Sequence, residues 1–106
     1  MRLVIVESPF AGEVEANIAF ARACMLDCLR RGEAPFASHM LYPQVLDDLD
    51  PEERRQGIEA GLAWGEQAEA TVVYTDRGTS AGMELGIERA RKVGRPVEFR
   101  TLGGDT

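Results

Sequence analysis

The chain has 106 residues, which corresponds to one domain and excludes a second catalytic domain. Eighteen acidic residues against twelve basic ones give a formal net charge of −6, which disfavours binding to a nucleic-acid polymer. No stretch approaches the roughly 18 apolar residues of a membrane span, and no secretory signal pattern is present, so we expect a cytoplasmic protein without membrane contact. We assign residues 1–102 to one α/β domain and expect 103–106 to be a flexible tail.

Apolar strand-like runs alternate along the chain with segments of helical periodicity. In chain order we predict a strand at 2–6, a helix at 13–31, a strand at 34–38, a loop at 39–50, a helix at 51–67, a strand at 70–75, a helix at 81–93 and a strand at 96–101. The second strand is the weakest of the four, because Pro35 cannot donate a hydrogen bond to a neighbouring strand. Asp50 is the expected N-cap of the second helix, and Thr79 or Ser80 that of the third.

The first predicted helix carries an apolar stripe and both cysteines. The stripe that we expect to face the sheet consists of Val14, Ile18, Ala21, Met25 and Leu29. Cys24 and Cys28 are four residues apart, which places two free thiols on one helical face and does not favour a disulfide. We expect both to behave as small buried hydrophobes. With one histidine and no CxxC or HExxH pattern, no metal site or other cofactor is expected.

Strict alternation of strands and helices predicts a parallel sheet with helices on both faces, joined by right-handed crossovers. The expected fold is a small Rossmann-like or flavodoxin-like three-layer sandwich with four parallel strands in the order 2-1-3-4. In such sheets, ligands bind beyond the carboxyl ends of the strands. The loops that follow the first three strands are therefore the candidate binding rim.

The first two rim loops offer a small number of polar and aromatic groups. Ser8 supplies a hydroxyl, Phe10 a stacking face and Gly12 an approach to the first helix, although a plain strand-to-helix turn is an equal alternative. Asn17 contacts a ligand or loop, or lies on a solvated face. His39 is the only imidazole, and it makes a ligand or loop hydrogen bond or has a structural role. Asp47 and Asp48 could bind a divalent ion or a ribose, or form a solvated acidic loop.

The third rim loop holds the densest set of candidate residues. Its members are Asp76, Gly78, Ser80, Gly82, Met83 and Glu84. Glycines in such a loop let the backbone approach a ligand, and a capping serine directs helix amides toward the cleft. Glu84 either faces the cleft or is a surface carboxylate that complements the helix dipole. Gly86 lies inside the helix and is expected to serve close packing or close ligand approach.

The order of these motifs resembles the nucleoside 2-deoxyribosyltransferase-like superfamily, within it a small branch of uncharacterised phage and bacterial proteins. The resemblance rests on SPF and AG after the first strand, an Asn in the first helix, SHMLYPQVLDD, YTDRG, GM-E and GRPV. It implies a Glu nucleophile that attacks the anomeric carbon of a deoxyribose, with an aspartate nearby. It also implies a site completed by a neighbouring subunit. We therefore expect a homo-oligomer, dimeric or larger, with the helix at 51–67 and the loop at 39–50 near the contact.

Two alignments to this superfamily are possible, and they lead to different functions. One places the nucleophile at Glu84, with Asp76 as acid/base or orienting group. The other places Gly86 at the nucleophile position and Ser80 where an aspartate is expected, so that the catalytic carboxylates are absent. The second is favoured because two anchors, Pro96 and Gly82, agree on it, and we expect Glu84 to point to solvent or to a salt partner.

The leading hypothesis is therefore a protein that binds a nucleotide- or nucleoside-derived small molecule and sequesters or senses a nucleotide signal, as in phage counter-defence. The alternative is an N-glycosidic-bond enzyme, a deoxyribosyltransferase or a nucleotide hydrolase, with Glu84 as nucleophile. A structural or protein-binding role comes third. The residues expected to line one pocket are Ser8, Phe10, Gly12, Asn17, His39, Asp76, Gly78, Ser80, Gly82 and Met83.

Overall fold

Strands and helices alternate along the chain in the computed structural model, which describes residues 1–103. The strands are β1 (Arg2–Glu7), β2 (Glu33–Phe36), β3 (Ala70–Tyr74) and β4 (Val97–Arg100). The helices are α1 (Val14–Arg30), α2 (Pro51–Gly65) and α3 (Ala81–Lys92), with two short 3-10 turns at Ser38–Met40 and Tyr42–Gln44. The predicted elements are confirmed, and no boundary moves by more than two residues. Residues 104–106 of the predicted flexible tail lie outside the described residues.

The four strands form one parallel sheet in the order β2-β1-β3-β4, as predicted. The two apolar runs of the sequence, β1 and β3, occupy the centre and pair through Val4 with Ala70 and Val6 with Val72. β2 lies at the edge of the sheet, where the missing N–H of Pro35 leaves no second neighbouring strand without a hydrogen bond. The carboxyl ends of β1 and β3 therefore meet at one edge of the fold.

The two faces of the sheet carry different cores. On one face, Val4, Val72 and Tyr74 pack against Cys24 and Cys28 of α1. On the other face, Val73 packs against Met83 and Ile87 of α3. Because side chains alternate along a strand, Glu7 lies on the face of Ile5, opposite Val4 and Val6. Glu7 is thus turned toward the α2 and α3 side of the sheet.

The buried face of α1 differs from the predicted apolar stripe. The buried residues of the helix are Asn17, Ala21, Cys24 and Cys28. In contrast, Leu29 is 50% exposed and Val14 is 38% exposed. Small side chains let the helix backbone lie close to the sheet, so the larger aliphatic residues are displaced to the flanks of the contact. The prediction that both thiols are buried is confirmed.

Capping side chains define the beginnings of α2 and α3. The carboxylate of Asp50 accepts hydrogen bonds from the backbone N–H groups of Glu52 and Glu53, as predicted. Of the two candidates for α3, Ser80 is the cap, and its Oγ accepts from the Met83 N–H at 3.2 Å. Within the described residues, no helix combines the length and the apolar character needed to cross a membrane.

A charged cluster completes the α1 side of the sheet between its two edge strands. The guanidinium of Arg100 donates to both carboxylate oxygens of Glu33, at 2.8 and 2.7 Å. The Tyr74 hydroxyl donates to Asp27 of α1 at 2.7 Å. Hydrogen bonding to Arg100 is the main cause that lowers the pKa of Glu33 below its ordinary value. Paired charges thus link β2 and β4 across the two central strands.

Candidate functional site

A cleft of about 500 Å³ lies beyond the carboxyl end of β1, between α2, α3 and the segment that connects β2 to α2. Apolar and aromatic side chains dominate its walls, and a few polar groups point into it. Its lining includes Ile5, Glu7, Ser8, Phe10, Phe36, Ser38, His39, Tyr42, Leu46, Ile58, Leu62, Ser80, Met83, Gly86, Arg89 and Arg95. Its position matches the rim that parallel strand topology predicts for a ligand site.

One wall of the cleft is a row of glycines on α2. Gly57, Gly61 and Gly65 are spaced four residues apart, and all three line the cleft. A Cβ atom at Gly61 would lie 2.8 Å from the Cβ of Ser38, and one at Gly65 would lie 2.8 Å from Cδ1 of Ile5. The glycines therefore let the backbone of α2 approach β1 and the connection that follows β2.

Ser8 and His39 form a polar pair in the cleft. The Ser8 Oγ and the His39 Nε2 share a hydrogen bond of 2.7 Å, and the edge of the Phe10 ring faces the imidazole at 6.4 Å. Burial lowers the pKa of His39 to about 4, so the ring is neutral at pH 7. Within residues 1–103, Ser8 is the one side-chain hydrogen-bond partner of His39. The pair therefore lacks the carboxylate that a Ser-His-Asp relay requires.

Glu7, the last residue of β1, places a carboxyl group beside Gly86 of α3. A Cβ atom at Gly86 would collide with the carboxyl carbon and Oε2 of Glu7 and lie 2.8 Å from Oε1. A glycine inside a helix costs roughly 1 kcal/mol relative to alanine, and here its missing side chain makes room for this carboxyl. The close packing predicted for Gly86 is therefore a contact with the carboxyl group of Glu7. In the alignment that places Gly86 at the nucleophile position, the carboxyl group beside that position belongs to Glu7 of β1.

The protonation state of Glu7 follows from its surroundings. Burial raises the pKa of its carboxyl to about 8, and the nearby positive charge of Arg95 acts in the opposite direction with the smaller effect. The Arg95 guanidinium is held in place by a hydrogen bond to the carbonyl of Gly65 at 3.1 Å. At pH 7 the cleft therefore contains a carboxyl group and an imidazole that are both predominantly uncharged.

Six of the ten residues predicted to line one pocket do line this cleft. They are Ser8, Phe10, His39, Ser80, Gly82 and Met83. Gly12, Asn17, Asp76 and Gly78 are not among the lining residues. Contact of any of the ten with a ligand stays a prediction.

The residues outside the lining have local partners. The Asn17 amide donates to the carbonyls of Phe10 and Ala11 at 3.0 and 3.1 Å, which fixes the turn between β1 and α1. The Asp76 carboxylate accepts from the backbone N–H of Leu102 at 3.0 Å. Glu84 is exposed and does not line the cleft. The carboxylates of the enzyme alternative thus lie away from the polar groups of the cleft.

Neither Glu7 nor the glycine row of α2 was among the site residues predicted from the sequence. The alternation of RLVIVE was a usable signal for Glu7, because it places this residue on the same face as Leu3 and Ile5 at a strand end. For the glycine row, the spacing of four between Gly57, Gly61 and Gly65 was the available signal. It shows that they share a helical face, but not which part of the fold that face meets.

Comparison with known proteins relates the chain to one family model and one solved fold. A model described as a domain of unknown function (DUF7768) matches residues 2–100. No curated protein matches the sequence. Among solved structures, a 2-deoxyribosyltransferase from the psychrotolerant bacterium Bacillus psychrosaccharolyticus matches with a TM-score of 0.68 and 18% identity, over 98% of this chain and 75% of that one. The shared architecture is the flavodoxin-like parallel sheet that the sequence predicts.

Proposed function

From the geometry of the cleft, we propose that this chain, which belongs to the family described as a domain of unknown function (DUF7768), binds a nucleoside- or nucleotide-derived small molecule. The observation that carries this proposal is the cleft of about 500 Å³ at the carboxyl end of β1. Small-molecule sites are usually concave, apolar and about 300–1,000 Å³ in volume, with a few polar groups that fix orientation. The fold shared with a 2-deoxyribosyltransferase supports the nucleoside class of ligand.

The chemistry of the lining suits a ligand with an aromatic base and a polar remainder. Phe10 and Tyr42 supply aromatic faces against which a base can stack. Ser8, His39 and Glu7 supply hydrogen-bonding groups that are uncharged or weakly charged at pH 7. Arg89 and Arg95 also line the cleft, and their cationic guanidinium groups favour a phosphate or another anionic group there.

We favour binding without turnover, which would allow the protein to sense or sequester its ligand. The enzyme alternative needs Glu84 as nucleophile and Asp76 as acid/base, close to one anomeric carbon. Glu84 is exposed outside the cleft lining, and the Asp76 carboxylate accepts from the Leu102 backbone. A carboxyl that is neutral at pH 7, such as Glu7, is itself a poor nucleophile.

We also propose that the protein is a homo-oligomer, in which a second copy covers apolar surface around the cleft. Leu49 is 93% exposed, Val45 is 78% exposed and Trp64 of α2 is 66% exposed. These side chains belong to the segment and helix that we expect at the contact. Large exposed apolar side chains of this kind are the surface that a second copy would cover.

A thermal-shift screen with nucleosides, nucleoside monophosphates and cyclic nucleotides tests the binding proposal. A ligand at 100 times its Kd adds about 2.7 kcal/mol of stability, which for a domain of this size raises Tm by roughly 10–20 °C. We expect Phe10→Ala to reduce the shift. Leu29→Ala is the matched control, because Leu29 is half exposed on α1, on the opposite side of the sheet. If no compound in the screen stabilises the wild-type protein, the proposal is wrong.

Chromatography of the same mixtures tests binding against turnover. We expect deoxynucleosides and nucleoside monophosphates to be recovered intact after incubation with the wild-type protein. Release of free base by the wild type that is lost in Glu84→Ala would overturn the binding proposal in favour of the N-glycosidic-bond enzyme.

A further inference from the structure

Glu7 is a cleft carboxyl for which the described part of the chain supplies no hydrogen-bond partner. Its side chain is partly buried, and within residues 1–103 none of the side-chain hydrogen bonds or salt bridges involves it. Among residues 1–103 no fully buried side-chain oxygen lacks a partner, so the unpaired Glu7 oxygens are open to the cleft and free to bind solvent or a ligand there. The cleft is where that partner can reach it, because Glu7 is part of the lining.

The surrounding backbone keeps this carboxyl in place. Gly86 leaves the space that Oε1 and Oε2 occupy, and any side chain at this position would displace them. The neighbouring Gly82 differs, because a Cβ atom there would meet nothing nearer than the Ser80 Oγ at 3.9 Å. Of these two glycines of α3, Gly86 is the one that must lack a side chain to make room for Glu7.

We propose that the carboxyl group of Glu7 in its neutral form binds the base of the ligand through two hydrogen bonds. Its O–H donates to a ring nitrogen, and its carbonyl oxygen accepts from the adjacent exocyclic amino group. Bases with such an edge are adenine and cytosine. This inference rests on the proposed function and adds to it a class of base and the residue that recognises it.

Burial is the cause that favours a neutral Glu7 carboxyl at pH 7. Burial raises its pKa to about 8, although the positive charge of Arg95 opposes this. The titratable and charged groups that line the same cleft are His39, Tyr42, Asp48, Glu53, Arg54, Arg89 and Arg95. The pKa of His39 is lowered to about 4, so its ring does not change charge between pH 6 and pH 9.

Calorimetric titration with adenosine and with cytidine at pH 6 and pH 9 tests the proposal, because neither nucleoside changes its own charge in this range. For the wild type we expect the affinity for at least one of them to fall about tenfold at pH 9, where Glu7 is mostly ionised. Glu7→Gln keeps one donor and one acceptor, so it should bind with an affinity that does not change with pH. Glu7→Ala should bind weakly at both pH values.

A substitution at Gly86, with a control in the same helix, tests the geometry without changing the chemistry of Glu7. Gly86→Ala should weaken binding at both pH values, since its Cβ displaces the carboxyl. Glu88→Ala, a control in the same helix at an exposed residue outside the lining, should bind as the wild type does. Thermal unfolding without ligand shows whether each variant is folded, and Glu7→Gln carries the test if Gly86→Ala is not.

Four results would overturn the inference, and they separate it from the proposed function. Binding by the wild type that does not change with pH, or the same pH-dependent loss in Glu7→Gln, would remove Glu7 from recognition but leave the cleft as a binding site. Loss of binding in Glu7→Gln at both pH values would mean that the ionised carboxylate is the binding form. If the wild type binds neither nucleoside, the inference fails, and the proposed function then depends on the other compounds of the screen.

Discussion

Replacing Glu7 by glutamine should stabilise the free protein, and by an amount that depends on pH. The pKa of the carboxyl is about 8 in the fold and 4.5 in its ordinary state, so between these values the folded protein holds a proton that the unfolded chain has released. Stability therefore falls as the pH rises from about 4.5 to 8, and the loss is complete above pH 8. At 1.36 kcal/mol per pH unit, the full penalty is roughly 5 kcal/mol.

Glutamine occupies almost the same volume beside Gly86 but carries no charge, so this penalty is absent from Glu7→Gln. Urea unfolding of both proteins between pH 5 and pH 9 measures the difference in free energy of unfolding. We expect a difference close to zero at pH 5 that grows to several kcal/mol at pH 9 in favour of the variant. A difference that stays constant across this range would refute the reasoning, because it would show that Glu7 ionises in the fold as it does in the unfolded chain.

Other predictions concern the helix cap, the cleft wall, the charged cluster and the assembly. Asp50→Ala should lower the free energy of unfolding by about 1 kcal/mol in urea titrations, because two N–H groups of α2 lose their acceptor, and an unchanged midpoint would contradict this. Gly61→Ala should destabilise the protein despite its better helix propensity, since its Cβ meets Ser38, and a raised Tm would show that α2 lies further away. Arg100→Met should cost about 3 kcal/mol in thermal unfolding, because buried Glu33 loses its bidentate partner and keeps only the Arg2 guanidinium at 3.5 Å, and a neutral effect would mean that water replaces the pair. Light scattering at micromolar concentration should give a dimer or larger species, whereas a monomer would contradict the proposed assembly.

The strand order could be predicted from the sequence because the relevant signals are local. The β-branched runs at β1 and β3 predict buried central strands, and alternation with helices predicts parallel pairing through right-handed crossovers. Asp50 could likewise be predicted as the N-cap of α2, because the signal is the residue type directly before the helix. These features need no knowledge of which distant residues meet.

The packing of α1 and the centre of the cleft depend on distant contacts, and there the sequence was less informative. Periodicity favoured the large aliphatic residues of α1, but close approach of the helix to the sheet buries Cys24 and Cys28 and leaves Leu29 half exposed. In the sequence, Glu7 was marked only by its position directly after the first predicted strand. Its importance depends on meeting Gly86, which is 79 positions later in the chain, so neither residue alone reveals the contact.

The most direct test of the account follows backbone amide signals of the glycines in nitrogen-15 correlation spectra while adenosine or cytidine is added. The glycines that line the cleft are Gly57, Gly61, Gly65, Gly82 and Gly86. Two turn glycines, Gly32 and Gly94, lie outside the lining and are not among the predicted site residues. We expect saturable shifts of the amide signals in the first group, which Phe10→Ala should reduce, and no shift of the amide signals in the second group. Spectra in which neither nucleoside moves the cleft glycines, or in which the turn glycines move instead, would contradict the account.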